Sequence, residues 1–577
     1  TLVVSEDHRF FNHSGLDFIA YLRVAKGLLL MNPAGGGSTI SQQLAKKLYA
    51  TRGQEMNGKI AALGRIPRLV VSKTKEWIIA VQLEETFTKE EIIALYLNTV
   101  DFGSNAFGIK AASETFFGKE PDALNYQESS VLIGLLQGVT RFNPIMNYEN
   151  SIAKRNEVLR KLERAQVLST VEYDSIRDLP IDLSNYNVAS QNTGFATYFR
   201  EVIKNDLLRY CRERDIDLYE AGLKIYTTID RQLQEYAENA MYWWMDSLQN
   251  TFIEDWDGRN PWVDENGKEI RGFIDIVVKR TDHYRKLKAK YGEDSDSIEI
   301  ILNTPKPMRV FSWGGEIDTV MTPIDSLKYY KKFLQAGFMA MDPHSGHIKA
   351  WVGGINYKYF KYDHVRQGKN QPGSTFKPIV YATAIENGYY PCYEVVDERR
   401  TYQTGGTPPT WSPENANMKF SGESMTIRKG MAQSKNSVTA RIMSLIGPEN
   451  VVSKARSLGI ESPLDPVLSL ALGVSDVSVY ELVGAYSAFA NGGTWTKPFY
   501  IQRIEDKNGE VIQDFVPQQK QALSEEDAYL MLHMLQGTLE EQGGTARRLD
   551  YQYQFLKNGN EVGAKTGTTQ NYSDGWF

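Results

Sequence analysis

The sequence predicts a multidomain protein with a mostly α N-terminal part and an α/β C-terminal part. Three observations predict it. The chain has 577 residues, beyond the size at which one hydrophobic core usually stops growing. Residues 1–180 carry long apolar runs at helical spacing and few strand signals. From Gly337 onward, short β-branched and aromatic runs alternate with helical text.

The elements follow in order. "KEWIIAVQLEETFTKEEIIALYLN" has helical periodicity and no Gly or Pro, so it predicts helix. "ESSVLIGLLQGV" predicts a buried helix and "SIAKRNEVLRKLERAQVLS" a more exposed, charged one. "FIAYLRVAKGLLLM" (Phe18 to Met31) is too short to span a bilayer and carries Arg23 and Lys26; its composition favours a core helix over an interfacial one. Residues 181–242 read as a linker region, with one strand-like run, "GLKIYTTID". Residues 243–335 are irregular, rich in Asp, Gly and aromatics, and read as an inserted module of unknown role. Residues 336–577 form the α/β part. There, "FMAMDPHSGHIKAWVGG" predicts strand, turn, strand, and "EVGAKTGTT" has strand composition. Both ends look cut.

The bulk numbers exclude several classes. Net charge is −6 and the sequence pI is about 5.8, which argues against a general nucleic-acid binder. Cys211 and Cys392 are the only cysteines; two distant cysteines make neither a disulfide framework nor a zinc site. His344 and His347 flank a turn with no third ligand in view, so no metal site is read there.

Three short motifs occur in order in the α/β part: Ser374-x-x-Lys377, Ser434-Lys435-Asn436 and Lys565-Thr566-Gly567. Ser-x-x-Lys alone is weak evidence, since it recurs at Ser72/Lys75 and Ser151/Lys154. The ordered set has a chemical logic. Positions i and i+3 share a helix face, so Ser374 and Lys377 can touch. A serine hydroxyl needs a base to become a nucleophile. Lysine serves if burial or a second cation, here Lys565, lowers its proton affinity. Ser374 follows Pro372-Gly373 near a helix start, where backbone N–H groups favour a developing oxyanion. Ser434 can relay a proton to a leaving amine, and Asn436 can hold a substrate amide. Gly567 removes a side chain that would block a peptide lying alongside. Lys565, Thr566 and Thr568 offer donors to a carboxylate terminus.

The helical part carries its own constellation. "SEDHRFFNHSG" sets Glu6 and Asp7 beside aromatics and a histidine. "GGGSTISQQLAKK" is a Gly-rich turn leading into a polar helix with two lysines, which suits a diphosphate. Glu76 shares a helix face with Ala80 and Leu83. A carboxylate on an apolar stripe is functional or held in a structural ion pair, and the stretch leaves both readings open.

The C-terminal motifs, with "RQGKNQPGSTFKP", "WSPEN", "GMAQSKNSVTARI" and "GAKTGTTQNYSDGWF", resemble the transpeptidase of bifunctional, class A penicillin-binding proteins. The N-terminal segments resemble the family 51 glycosyltransferases of peptidoglycan synthases. That family's Glu-Asp-x-x-Phe-x-x-His-x-Gly pattern is met at Glu6, Asp7, Phe10, His13 and Gly15, and its Gly-Gly-Ser-Thr-Ile-x-Gln-Gln run from Gly36 to Gln43. "EEIIALYLNTVDFG" and "GIKAASETFFGK" resemble its later motifs.

The resemblance implies a lysozyme-like glycosyltransferase and a β-lactamase-like transpeptidase with an antiparallel sheet flanked by helices. It implies that Glu6 is the general base toward the acceptor sugar hydroxyl and that Glu76 assists, with inversion at the anomeric centre. Ser38, Thr39, Gln42, Lys46 and Lys73 would cradle the lipid diphosphate, with Asp7, His13, Gln43 and Lys47 in the same substrate site. Ser374 would form an acyl-enzyme with Lys377 as base, and Ser434, Asn436 and Lys565 would complete that catalytic set. Thr566, Gly567 and Thr568 would bind the peptide. The implied partners are lipid II and the growing glycan strand, stem peptides ending in D-Ala-D-Ala, β-lactams and the bacterial membrane, with no nucleic acid. No cofactor is certain, and a divalent cation in the glycosyltransferase site is left open. The expected place is the outer face of the cytoplasmic membrane, with the N-terminal anchor absent from this chain. A β-lactamase or carboxypeptidase on the same serine fold is the rival enzyme reading, but no deacylating glutamate is evident. A β-lactam sensor or scaffold with retired catalysis is the other alternative.

Two positions depart from the family pattern. Ser72 precedes Lys73 where Arg is frequent, and Lys47 stands where Asn is frequent. One cation is lost and one gained, so Lys47 is expected to replace the missing charge near the diphosphate, without the two-pronged grip of Arg. Lys47→Asn is expected to slow glycan polymerisation; a parental rate on labelled lipid precursor would reject this role.

Overall fold

The computed structural model describes residues 1–22, 38–49, 65–104, 106–187, 194–219, 221–264, 266–292, 295–554, 556–569 and 573–577. The chain divides into two compact units, Thr1–Ser190 and Gln191–Phe577.

The first unit is helical. Helices Lys89–Thr99, Tyr126–Leu135 and Thr170–Ile176 each open on a capping box, Thr88 with Glu91, Asn125 with Glu128 and Ser169 with Glu172. In each, a side-chain oxygen and a glutamate satisfy N–H groups that the helix leaves unpaired. Phe10, Ile40, Leu44, Phe102, Phe116 and Leu132 meet in one core. Helix Arg65–Thr86 buries Glu76, Ala80 and Leu83 on one face. Helix Tyr148–Arg164 is less exposed than its charges suggest. Its Arg155 is fully buried and donates 2.7 Å hydrogen bonds to the carbonyls of Arg177 and Leu179, which fastens the segment behind it. The 18–31 stretch begins with Phe18, Ile19 and Leu22 exposed, against the core expectation, and its residues from 23 onward lie outside the described ones. No described helix is long and apolar enough to cross a membrane.

The stretch expected as a linker is mostly built into the second unit. Helix Thr197–Arg212 puts Tyr198, Phe199 and Ile203 into a core with Ile348, Trp351 and Tyr500. Strand Lys224–Thr227 runs antiparallel to Ile501–Glu505, which pairs in turn with Val511–Asp514. The hairpin Phe338–Met341/Ile348–Val352 forms as the sequence predicts. The Ile348 N–H reaches the Phe499 carbonyl, and the Thr228 N–H the Tyr500 carbonyl. Residues nearly 280 positions apart therefore share one β-system, which no local pattern announces. "EVGAKTGTT" contributes only the short strand Gly567–Thr568, paired with Gly575–Trp576.

The expected inserted module is folded rather than irregular, and its first residues continue helix Arg231–Trp256. Val278, Tyr284, Ile298 and Leu302 make a small core of its own. Hairpin Lys306–Ser312/Gly315–Met321 brings in Phe311, whose ring meets Trp313, Phe333, Tyr359 and Phe360. Helix Arg231–Trp256 is tied down by Gln234. Its buried amide accepts from the Trp351 N–H at 2.7 Å and donates to the Trp351 carbonyl at 2.8 Å, taking the place of a neighbouring strand. Gln234→Ala strands both backbone groups in the interior. A loss of about 1–3 kcal/mol is expected in denaturant unfolding of the second unit.

Two candidate active sites

The serine site is assembled at a tight backbone junction. Gly373–Phe376 is a turn of 3-10 helix that carries Ser374, and Lys377 opens helix Lys377–Glu386, which is buried over most of its length. Gly373 sits at φ +55°, and a Cβ there would lie 2.6 Å from the Thr568 carbonyl. A Cβ on Gly567 would lie 2.5 Å from the Pro372 carbonyl, and one on Gly473 would overlap Gly373. Three chain segments thus touch backbone to backbone beside Ser374. This changes the reason for Gly567: close approach to the Ser374 turn already excludes any side chain there.

Lys377 has no exposed surface. Its Nζ donates to the Ser434 carbonyl at 2.8 Å and to Asn436 Oδ1 at 2.7 Å, and lies 3.3 Å from Ser434 Oγ. Its hydrogen bonds run to the second motif rather than to Ser374. Lys565 Nζ is 3.0 Å from the same Ser434 Oγ and donates to the Thr566 carbonyl. Burial pushes Lys377 well below its ordinary pKa, and the charge of Lys565 adds to the effect. Burial alone lowers Lys565 to about 7. Ser434 is held at φ 56°, a left-handed conformation that a non-glycine residue rarely adopts. Asn436 begins helix Asn436–Ile446. Thr566 bonds Thr545, and Thr568 is exposed. The cluster can deprotonate a hydroxyl and pass a proton onward without a metal ligand in it.

The carboxylate site collects residues from four helices of the first unit. Glu6, at the end of helix Leu2–Glu6, accepts from Gln137 Nε2 at 2.7 Å and from Gln43 Nε2 at 3.3 Å. Gln43 is held in turn by the Tyr96 hydroxyl. Asp7 is buried and accepts from the Ile40 N–H at 3.1 Å, while His13 Nε2 lies 3.0 Å from its carboxylate. Thr39 caps helix Ile40–Leu48 and, with Gln42, bonds the Gly15 carbonyl. Asp7, His13, Thr39 and Gln42 therefore build the frame of the site. Lys73 reaches Ser38 Oγ at 3.1 Å and Glu76 at 2.7 Å. Glu76 is 1% exposed and ion-paired, the second of the two readings left open, and its partner Lys73 is a residue expected at the diphosphate. Lys46 and Lys47 are exposed near the end of their helix. Gly35, Gly36 and Gly37 of the Gly-rich turn lie outside the described residues.

Several contributors carried no local signal. Gln137 meets Glu6 from 131 residues away. Tyr486 donates to the Thr375 carbonyl at 2.6 Å, inside the turn that carries Ser374. Glu414 and Asn415 lie in the quoted "WSPEN" but drew no role from their residue types. His344 bonds Asn491 and His347 packs on Phe499. Among the described residues no group of three or more His, Cys, Asp or Glu side chains forms a metal site.

Gly567→Ala tests the backbone junction. The added methyl must push the Gly567–Thr568 strand off the Pro372–Thr375 turn. A fall in penicillin acylation of about 10²-fold is expected, the scale of an ångström misplacement at a reacting centre. An unchanged acylation rate would show that the junction tolerates the shift.

Comparison with known proteins agrees with this division. The transglycosylase family matches residues 1–163, the penicillin-binding protein middle domain residues 257–334, and the penicillin-binding protein transpeptidase domain residues 336–576. Penicillin-binding protein 1A of Aquifex aeolicus is 29% identical over 590 residues, covering 100% of this chain and 75% of that protein. Penicillin-binding protein 1A of Pseudomonas aeruginosa is 27% identical over 662 residues, covering 100% of this chain and 76% of that protein. The crystal structure of penicillin-binding protein 1A from Haemophilus influenzae shares the fold, with a TM-score of 0.57 at 23% identity over 84% of this chain and 78% of that one. With a transglycosylase domain at one end and a serine transpeptidase domain at the other, the chain belongs to the class A penicillin-binding proteins, enzymes that carry peptidoglycan glycosyltransferase and D-Ala-D-Ala transpeptidase activities on one polypeptide.

Proposed function

We propose that the first unit polymerises lipid II into glycan strands with Glu6 as general base, and that the second cross-links stem peptides through an acyl-enzyme on Ser374 with Lys377 as base. The observation that carries the reading is the buried amine of Lys377. It sits among carbonyl acceptors, beside a second lysine, at the foot of the turn that presents Ser374.

In the transpeptidase step, Lys377 takes the Ser374 proton as Oγ bonds the carbonyl carbon of the penultimate D-Ala. The carbonyl electron pair moves onto oxygen, and backbone N–H groups at the turn stabilise it. Collapse of the intermediate breaks the C–N bond, and the leaving nitrogen receives the proton by way of Ser434. An amine from a second stem then attacks the ester, gives up a proton, and restores the Ser374 hydroxyl. A β-lactam enters the same first half. Its leaving nitrogen stays tethered in the opened ring, so the adduct persists.

In the glycosyltransferase step, Glu6 removes the proton of the acceptor hydroxyl. That oxygen bonds the anomeric carbon as the bond to the lipid diphosphate breaks, and the electron pair leaves with the diphosphate. The amides of Gln43 and Gln137 aim the carboxylate. Glu76 holds Lys73 toward Ser38, where a diphosphate would gain a cation. Exposed Phe11, Phe18, Ile19 and Leu22 suit a substrate that carries a lipid tail at a bilayer surface. In this reading the work is done at the outer face of the cytoplasmic membrane.

The two activities are expected to separate by mutation. Glu6→Gln should lose polymerisation of labelled lipid precursor by on the order of 10²- to 10⁴-fold and keep penicillin labelling. Ser374→Ala should do the reverse. Labelling of Ser374→Ala at another residue, or parental polymerisation by Glu6→Gln, would reject the respective assignment. The pH dependence has a defined sign. Protonated Lys377 cannot act as base, so acylation should fall as pH drops through its lowered pKa. Lys565→Gln removes the neighbouring charge and should move that acid limb to higher pH. A flat acylation profile from mildly acidic to alkaline pH would argue that Lys377 is not the base.

A further inference from the structure

The turn Ser434–Asn436 is gripped from behind by a buried network that the mechanism has not yet used. Asp397 has no exposed surface. Its Oδ1 accepts from Ser437 Oγ at 2.6 Å and from Asn415 Nδ2 at 2.7 Å. Its Oδ2 accepts from the Ser421 N–H at 3.1 Å and pairs with Lys435 at 2.9 Å. Asn415 is also buried. Its Oδ1 accepts from the N–H of Asn436 at 2.9 Å and of Ser437 at 3.2 Å, so it caps the helix Asn436–Ile446 from another part of the chain. The neighbouring Glu414 carbonyl accepts from Asn436 Nδ2 at 2.7 Å.

That last contact decides which way the Asn436 amide faces. A carbonyl accepts and does not donate, so Nδ2 must point to Glu414 and Oδ1 must point to Lys377. A neutral lysine amine has two N–H bonds and one lone pair. Its two N–H bonds are matched by the Ser434 carbonyl and Asn436 Oδ1. The third position on the nitrogen faces Ser434 Oγ at 3.3 Å, the longest of the three contacts, and the lone pair there is what remains to receive a proton.

We propose that Asp397 and Asn415 are positioning residues for the transpeptidase base: they hold Ser434 and Asn436 so that both N–H bonds of neutral Lys377 are occupied and its lone pair is left for the Ser374 proton. The proposal rests on Lys377 being the base. Asp397 does not touch substrate or the reacting atoms. Burial alone would raise the Asp397 carboxyl. Hydrogen bonds from Ser437, Lys435, the Ser421 backbone and Asn415 outweigh it and hold the group well below the usual carboxylate range, so the anion persists through the working pH. Among the described residues the charge that acts on Lys377 is that of Lys565, which shares Ser434 with it; the Lys435–Asp397 pair lies behind the turn, and Glu414 is paired with Arg399.

Asp397→Asn keeps size and removes the charge. Two consequences push Lys377 the same way. Lys435 loses its counter-ion beside the site, and an Asn436 amide freed to turn presents a donor to Nζ; each disfavours the ammonium. The measurement is the acylation rate of fluorescent penicillin against concentration and pH on the full chain, with Lys377→Ala beside it. For Asp397→Asn the saturating rate is expected to fall about 10²-fold, the half-saturating concentration to stay put, and the acid limb to move to lower pH. Asn415→Ala should lower the saturating rate in the same way. Ser437→Ala removes one bond to Asp397 and leaves the charge pair, so it should give a smaller fall in the same direction while keeping the fold. Parental saturating rates in Ser437→Ala and in whichever of the other two variants folds would overturn the proposal, as would a loss confined to affinity or an unmoved acid limb in Asp397→Asn. Labelling of Lys377→Ala at the parental rate would instead overturn the base assignment beneath it.

Discussion

A lysine side chain without exposed surface is the constraint on which the second unit depends. An ammonium buried without a counter-ion is costly, and the group escapes the cost by giving up its proton. Lys377 is surrounded by two carbonyl oxygens, a hydroxyl and a second lysine. Those partners satisfy an amine without holding it as a cation. The same environment that makes the residue expensive to bury lowers its affinity for a proton, as the proposed base requires, and it fixes where Ser434, Asn436 and Lys565 must stand.

Keeping that pocket closed explains the glycines around it. Gly373, Gly473 and Gly567 lie where the Ser374 turn, the 473 turn and strand Gly567–Thr568 meet, and any Cβ would drive them apart. Tyr486 reinforces the junction through the Thr375 carbonyl. Behind it, helices Lys377–Glu386, Asn436–Ile446 and Glu525–Glu540 contribute to one large apolar core. The turn is therefore set on an apolar base, while the strand packed against it carries the exposed Thr568.

The first unit solves a different problem with polar frames. Asp7, Thr39 and Gln42 bond backbone groups of the Gly15 and Ile40 segments. Gly15, at φ +90°, brings its loop to helix Arg65–Thr86, where a Cβ would lie 2.8 Å from the Ala80 carbonyl. The result places Glu6 between two amide donors and sets Lys73 between Ser38 and Glu76. Several residues that read as ligand contacts serve first to hold the loop that presents the carboxylate.

What the sequence by itself determined is what short-range patterns encode. Capping boxes at Thr88, Asn125 and Ser169, the 338–352 hairpin, and the face shared by Glu76, Ala80 and Leu83 depend on neighbours a few residues apart, so periodicity and residue type suffice. The ordered serine motifs were legible because their residue types are set by chemistry, and the Glu6–Gly15 pattern through its resemblance to a known family. Tertiary structure decided the rest. Strand Lys224–Thr227 found its partner near residue 503, so a stretch that reads as a linker became part of the second unit. The charged helix Tyr148–Arg164 turned Arg155 inward because two carbonyls awaited it. Gln137 reached Glu6, and Asp397 reached Asn415 and Ser437, across distances in sequence that carry no periodic signal. A buried polar group takes its meaning from the partner that folding delivers, and that partner is fixed only when the chain has closed on itself.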